Sequence, residues 1–354
     1  MPAARFSARP WIFCDSCIAM AYQNILILGG TGFIGRCLVD ALVAQGRRVC
    51  VPTRRRARAR DLLVLPTVEV VEADISDGSV LRALLSGRDA VINVVGILHD
   101  SDAVPAKGEA QDPKAAGRYG PGFAAAHVYL LRNLIDACHQ GGVERLLHIS
   151  ALGANPNGPS AYLRSKADGE KIVREAQGIA TTVFRPSVVF GAGDNFLNLF
   201  AALAAWLPVL FIGRPQARMQ PVWVRDLVAA MSTALDEPST FGKCYEICGP
   251  TIYTLRELVQ FAARAAGHPR PVIGLPDPLA YLMASCFELL PGPTLLSRDN
   301  LRSLTVDNVA RQQPYVPAPE LGLHPAPLEP EAALYLAGMH PRSRFGGFRA
   351  RARR

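Results

Sequence analysis

The sequence predicts an α/β fold, a doubly wound parallel sheet carrying a smaller C-terminal lobe, and three observations lead there. Short, continuous apolar runs alternate with amphipathic stretches through the first half of the 354 residues. A glycine-rich turn joins the first apolar run to the first amphipathic stretch. The alternation then loosens after Arg185-Pro186, where Pro and Gly become frequent. Apolar strands alternating with amphipathic helices imply a parallel sheet covered on both faces.

Periodicity places the elements in order. Residues 24–28 form a buried strand, 33–43 an amphipathic helix and 48–52 a second strand, together one β-α-β unit. A strand at 68–71, a helix at 79–85, a strand at 90–95, a helix at 124–139 and a strand at 145–149 continue the pattern. Residues 101–122, rich in Ala, Gly, Pro and charge and without a sustained period, read as a mobile loop at the ligand edge. Stretches 196–209, 222–235 and 254–266 supply the smaller lobe. The expected divisions are a disordered extension over 1–20, the main domain over 21–186, the smaller lobe over 187–312, and a peripheral Pro-rich segment with a basic tail over 313–354.

With 49% hydrophobic residues the chain has ample material for a core in both parts. The net charge of +8 resides largely in two clusters: Arg54, Arg55, Arg56, Arg58 and Arg60, and Arg342, Arg344, Arg349, Arg351, Arg353 and Arg354. Such a tail is a solvated end or a contact for acidic lipid or a partner. No nucleic-acid-binding motif accompanies it, so no nucleic-acid partner is expected. Eight cysteines are scattered through the chain; Cys37, Cys50 and Cys138 sit in apolar runs, which suits a reducing compartment. Cys14 and Cys17 lack a second pair or a spaced His, and no metal is expected. No stretch has the uninterrupted apolar length of a transmembrane segment. Met20 is the expected start, and a mitochondrial presequence is the alternative, with Asp15 against it. The expected location is cytoplasmic, peripheral at an inner membrane, the alternative being the mitochondrial matrix side.

Leu28-Gly29-Gly30-Thr31-Gly32-Phe33-Ile34-Gly35 follows a strand and opens a helix. Gly29, Gly30 and Gly32 let the turn tighten and its backbone approach a pyrophosphate, and Gly35 lets helix and strand pack closely. The N–H groups from Thr31 through Phe33 and Ile34 lie at the positive end of the helix dipole. This is the phosphate loop of a Rossmann-type dinucleotide domain. NAD-specific sites place a carboxylate at the end of the second strand; here that place reads Pro52-Thr53-Arg54-Arg55-Arg56. A guanidinium grips a 2′-phosphate that a carboxylate would repel, so NADP(H) is expected over NAD(H), with Arg54 and Arg55 as clamps.

Ser160-Ala161-Tyr162-Leu163-Arg164-Ser165-Lys166 opens a further helix. The i, i+4 spacing puts Tyr162 and Lys166 on one face. An ammonium beside a phenol is expected to lower its pKa, and the pair can then move a proton while a nicotinamide moves a hydride. Ser150, closing the fifth strand at the carboxyl edge of the sheet, is placed to hydrogen-bond a substrate carbonyl.

These motifs resemble the short-chain dehydrogenase/reductase superfamily in its extended and atypical branches, over roughly residues 23–308. The resemblance rests on Gly29-x-x-Gly32-x-x-Gly35, Asp74, Asn93-Val94-Val95-Gly96, Ser150, Tyr162-x-x-x-Lys166, Arg185-Pro186-x-x-x-Phe190-Gly191 and Gln220-Pro221-Val222-x-Val224-x-Asp226. It implies that Asp74 contacts adenine, that Asn93, Val94, Val95 and Gly96 flank the cofactor, that Lys166 also holds the nicotinamide ribose, and that Pro186 to Val189 line the nicotinamide pocket. His127 stands where many extended members carry an Asn. Within the superfamily, 161–171 with Gly169 and Glu170, Phe196-Leu197-Asn198 and Ser297-Arg298-Asp299-Asn300 resemble the nucleotide-binding accessory subunit of respiratory complex I and its bacterial relatives.

Two functions follow as expectations. One is an NADPH-dependent oxidoreductase or epimerase on a small apolar molecule, with Ser150, Tyr162 and Lys166 catalytic. The other is a non-catalytic NADPH-binding accessory subunit of a membrane complex. A nucleotide-sugar substrate fits less well, because 196–207 is an apolar wall, or simply a core helix.

Overall fold

The computed structural model describes residues 22–100, 117–291 and 294–339; the N-terminal extension, the Arg tail and most of the loop expected over 101–122 lie outside the described residues. The chain begins with β1 (Asn24–Leu28), α1 (Phe33–Ala44), β2 (Arg48–Thr53), β3 (Val68–Glu72), α2 (Gly78–Leu85) and β4 (Ala90–Asn93). A rod, α3, follows as Pro121–Ala124, a π-helical turn over Ala125–Tyr129 and Leu130–Gly141, and then β5 (Arg145–Ile149), α4 (Ala161–Arg174) and β6 (Ala180–Pro186). Seven parallel strands stand in the order β3-β2-β1-β4-β5-β6 and one further strand beyond β6, which is the doubly wound arrangement the sequence predicts.

Beyond β6 come β7 (Val189–Phe190), α5 (Leu197–Trp206), β8 (Leu210–Gly213), β9 (Arg218–Met219), β10 (Val222–Trp223), α6 (Val224–Asp236), β11 (Cys244–Ile247), β12 (Tyr253–Thr254), α7 (Leu255–Ala265), β13 (Val272–Leu275), α8 (Asp277–Leu289), α9 (Arg298–Ser303) and α10 (Leu328–Leu336). Here the structure differs from the division expected at residue 186. Strand β11 pairs in parallel with β6 as the seventh strand of the main sheet, and α6 packs on α1 with Val224, Leu227 and Met231 in the main core. The reason is physical: without β11 the N–H and C=O groups along β6 would form an exposed edge, and without α6 one face of the sheet beside α1 would stay wet. Leu321 and Leu323 also enter that core, and α10 buries Leu328, Ala332 and Leu336 in the smaller lobe, so residues 321–336 contribute to both cores.

Both sheet faces are covered. One core joins β1 and β2 to α1 and α6; the other joins the opposite face to α2 and α3 through Leu81, Leu85, Leu131 and Leu134. Arg145, fully buried on β5, fastens α6: its guanidinium donates to the carbonyls of Leu235 and Ala234 at the helix end, and to Ala180 and Thr182 on β6. It also lies 4.3 Å over the Phe241 ring. Burial lowers its pKa to about 10, and the hydrogen bonds supply what water would otherwise give.

The smaller lobe packs α5, α7 and α10 against the β8–β13 pair. Leu197, Ala201 and Ala204 of α5 turn into this core with Phe196, Phe200 and Leu203 packed partly against it, whereas Trp206 and Leu207 at the end of the stretch are exposed. Among the described residues no helix is long and apolar enough to cross a membrane.

Candidate active site

The carboxyl ends of β1, β4, β5 and β6 converge on one edge of the sheet. At the first, Gly29 has φ +84°, and a Cβ there would lie 3.1 Å from the backbone of Val94 and Val95. A Cβ on Gly30 would lie 2.8 Å from the Val51 side chain, and one on Gly35 would lie 2.2 Å from the Gly29 carbonyl oxygen. Glycine is thus required by β2, by β4 and by the loop itself. Helix α1 begins at Gly32 with no side-chain cap and no acidic residue in its first turn, so its leading N–H groups and dipole face the cradle unopposed. A dinucleotide diphosphate fits that chemistry.

Arg54 and Arg55 follow β2 directly and are exposed, and no ion pair among the described residues engages either guanidinium. A feature the linear reading does not show lies beside them. Glu72, at the end of β3 and in register with Thr53, accepts the Arg56 N–H at 3.3 Å. Asp74 accepts the N–H and hydroxyl of Ser76, which shapes the turn into α2. Asn93 is fully buried; its Oδ1 accepts the Val95 N–H at 3.1 Å and its Nδ2 donates to His148 Nδ1 at 3.2 Å. It therefore holds the Val94-Val95-Gly96 turn from beneath.

At the next strand ends, Lys166 is the centre. It is buried, its Nζ donates to the Ile149 carbonyl at 3.1 Å, and a Cβ on Gly96 would come within 3.2 Å of that nitrogen. Lys166 thus ties α4 to the ends of β4 and β5. Burial lowers its pKa to about 8. Ser150, the next residue after Ile149, has a buried hydroxyl without a hydrogen-bond partner among the described residues. Pro186 is locked on both sides, its carbonyl accepting from Leu152 and its strand pairing with Ile247, while Val189 is half-buried on β7.

The expected electrostatics of Tyr162 need correction. Its phenol is not lowered by Lys166 but raised to about 12, with burial as the cause. Desolvation penalises a phenolate here, and the neighbour that would favour it is itself driven toward neutrality by the same burial. Tyr162 sits edge-on to Phe123 and His127, with ring centres 6.1 and 5.8 Å away. His127 takes no free proton. Its Nε2 accepts the Ile97 N–H, which leaves the proton on Nδ1 for the Ser165 hydroxyl, and that hydroxyl donates to the Tyr162 carbonyl. Burial pushes His127 and His148 well below the ordinary histidine pKa, with Lys166 adding to the shift.

Three supports of α4 are not read from spacing. Asp299, from α9, caps the helix with both oxygens, accepting the N–H groups of Ala161 at 2.8 Å and Tyr162 at 3.0 Å. Ser303 joins it through the Ser160 hydroxyl. Glu170 forms a buried two-point pair with Arg185 of β6 at 2.7 and 2.6 Å, and a Cβ on Gly169 would lie 2.2 Å from the His127 carbonyl oxygen, so α4 and α3 approach closely. The motif signal at 169–170, 185 and 297–300 marks these supports without stating their purpose. Fully buried Gln220 bridges Gly249, Ala310 and Gln313, and Asp226 accepts the Ala326 N–H; both fasten the lobe. A cleft of about 510 Å³ opens at the head of α4, with Tyr119, Phe123 and Ala161 on its wall beside the charged Asp100, Glu288, Arg298, Asp299 and Arg302.

A family model described as the NAD dependent epimerase/dehydratase family matches residues 25–248. The chain is 30% identical over 300 residues to NADH dehydrogenase [ubiquinone] 1 alpha subcomplex subunit 9, mitochondrial, of Arabidopsis thaliana, covering 80% of this chain and 70% of that one. It is 31% identical over 258 residues to the ceramide reductase of Caulobacter vibrioides, covering 72% and 74%. A dTDP-glucose 4,6-dehydratase from Streptomyces venezuelae, solved with NAD and DAU bound, superposes with a TM-score of 0.64 at 20% identity over 90% of this chain and 98% of that one, which bears on the fold.

Proposed function

The chain belongs to the NAD dependent epimerase/dehydratase family, within the extended short-chain dehydrogenase/reductase superfamily, and from that premise we propose that it is an NADP(H)-dependent oxidoreductase acting on an apolar carbonyl compound. The observation that carries the reading is Ser150: a buried hydroxyl with no partner among the described residues, next to the Ile149 carbonyl that anchors Lys166. A buried hydroxyl facing the strand ends is costly to leave unsatisfied, and a substrate oxygen bound there would be a partner for it.

When bound, the nicotinamide supplies or accepts the hydride. Ser150 Oγ donates to the substrate oxygen and orients it. Tyr162 carries its proton at neutral pH, its phenol being raised by burial rather than lowered, and it gives that proton to the developing alkoxide as hydride arrives. Lys166 completes the set by holding the strand ends and offering its remaining N–H donors. Arg54 and Arg55 grip the 2′-phosphate. Tyr119 and Phe123 form the apolar part of the cleft wall and meet the apolar body of the substrate.

Fluorescence titration should give tighter binding of NADPH than of NADH, and replacing Arg54 and Arg55 together by Ala should erase the difference; equal affinities in the unaltered chain would remove the clamp. Across a panel of long-chain ketones and aldehydes, Tyr162→Phe should keep cofactor affinity and lower turnover by about 10²–10⁴-fold. Unchanged turnover would overturn its acid role.

A second reading, a non-catalytic NADPH-binding accessory subunit, is favoured by the identity shared with the mitochondrial subunit across 80% of this chain. There the cofactor would act as a folding clamp that adds several kcal/mol by mass action, and the partner would be a membrane complex, met on the cytoplasmic or the matrix side. Co-purification with respiratory subunits from native membranes supports this reading, and recovery of the chain free of them counts against it.

A further inference from the structure

Helix α8 buries a narrow seam, Ala280 and Ala284. Its opposite face is apolar as well. Leu279, Leu282, Cys286 and Leu289, spaced three, four and three apart, share one side of the helix, and all are exposed, Leu282 at 61% and Leu289 at 86%. A solvent-facing helix ordinarily turns charge outward, so a row of this kind marks an interaction surface. It does not stand alone. Phe211 and Ile273 are register partners on β8 and β13 and both are exposed; Phe211 shares its strand face with Gly213, against which Ala280 packs. The lobe thus presents apolar side chains from a helix and from a strand pair on the same side.

We propose that this face docks the chain on an anionic lipid surface. Two observations select lipid over a protein. Protein interfaces need roughly one hydrogen bond per 100–200 Å², yet the outward row of α8 contributes no polar side chain, and hydrocarbon asks for none. Charge agrees. The two carboxylates of α8 are both neutralised, Asp277 by Arg214 at 2.7 Å and Glu288 by Arg298 at 2.7 Å, so the helix brings no free negative charge to repel lipid headgroups. Residues 340–354, which follow the last described turn of the same lobe, carry six Arg, Phe345 and Phe348, and no Asp or Glu. An apolar face and a polybasic segment are the two signals that together give stable peripheral binding, where one alone is marginal.

The test is co-sedimentation of the full chain with phosphatidylcholine vesicles, with and without phosphatidylglycerol. Binding should require the anionic lipid and weaken as salt rises. Leu282→Glu and Leu289→Glu, at exposed positions where folding is spared and thermal melting checks it, should each lower partitioning by about tenfold or more. Replacing the six tail Arg by Gln should abolish the preference for anionic vesicles. Failure of the unaltered chain to pellet with either vesicle would overturn the proposal, as would Glu variants that pellet unchanged. Loss of a dimer on light scattering, with pelleting unaffected, would assign the face to a second copy and also overturn it. Cofactor titration of the same variants should be unchanged, which separates docking from the reaction at the sheet edge.

Discussion

The turn between β1 and α1 and the pocket around Lys166 lie on the same edge of the sheet and are built on opposite terms. The first is backbone: N–H groups at an uncapped helix start, brought close because three glycines withhold a Cβ. The second is made of side chains that burial has stripped of water, Lys166 pushed down, Tyr162 pushed up, and His127 and His148 held neutral. A backbone site works whatever the dielectric does to its neighbours. A side-chain site takes its protonation states from the packing around it, so the same residues in a wetter setting would behave differently.

The contrast can be broken most severely at Gly35. Gly35→Ala puts a Cβ 2.2 Å from the Gly29 carbonyl oxygen, and the loop must move; loss of measurable NADPH binding is expected, with destabilisation of about 3 kcal/mol. Calorimetric titration and denaturant unfolding check both, and retained affinity would mean that the loop is not the anchor.

The second way concerns Lys166. Its pKa of about 8 in the fold lies below its ordinary 10.5, so the folded chain disfavours the ammonium. The cost is complete below pH 8 and is relieved as pH rises from 8 toward 10.5, where the unfolded chain still holds the proton. Stability should therefore increase across that window, by on the order of 3 kcal/mol. Lys166→Met should flatten the rise, read as the difference between the two chains in urea unfolding at each pH. Parallel profiles would show that burial does not govern this group.

The smallest effect is expected at Asp299. Asp299→Ala removes the two-oxygen cap of α4 and should cost about 1 kcal/mol, visible as a lowered melting temperature with NADPH affinity kept. An unchanged melting temperature would show that Ser160 caps the helix unaided.

Legibility follows the range of the interactions. The glycine loop could be read because its causes lie within eight consecutive residues after a strand, and Tyr162 with Lys166 because a helix places i and i+4 together. His127 stood out as a departure at its position, but its role as a neutral link between Ile97 and Ser165 needed three separate segments in view. Asn93 and His148 meet only because β4 and β5 are in register, and Asp299 reaches Tyr162 across 137 residues. The lowering expected for the Tyr162 phenol failed for the same reason: spacing shows a neighbouring ammonium and cannot show how much water both groups lose. The same limit applies to α6 and β11, whose periods were readable while their place in the main sheet was not.

The sequence alone determined the doubly wound sheet, the tight glycine turn between β1 and α1 and the shared helix face of Tyr162 and Lys166, because period, glycine placement and i, i+4 spacing are properties of neighbours along the chain. Tertiary structure decided which side chains lose their solvent, which strand closes the sheet and which helix face is left bare. Desolvation and edge pairing depend on what the rest of the chain brings alongside, and no local stretch of residues contains that information.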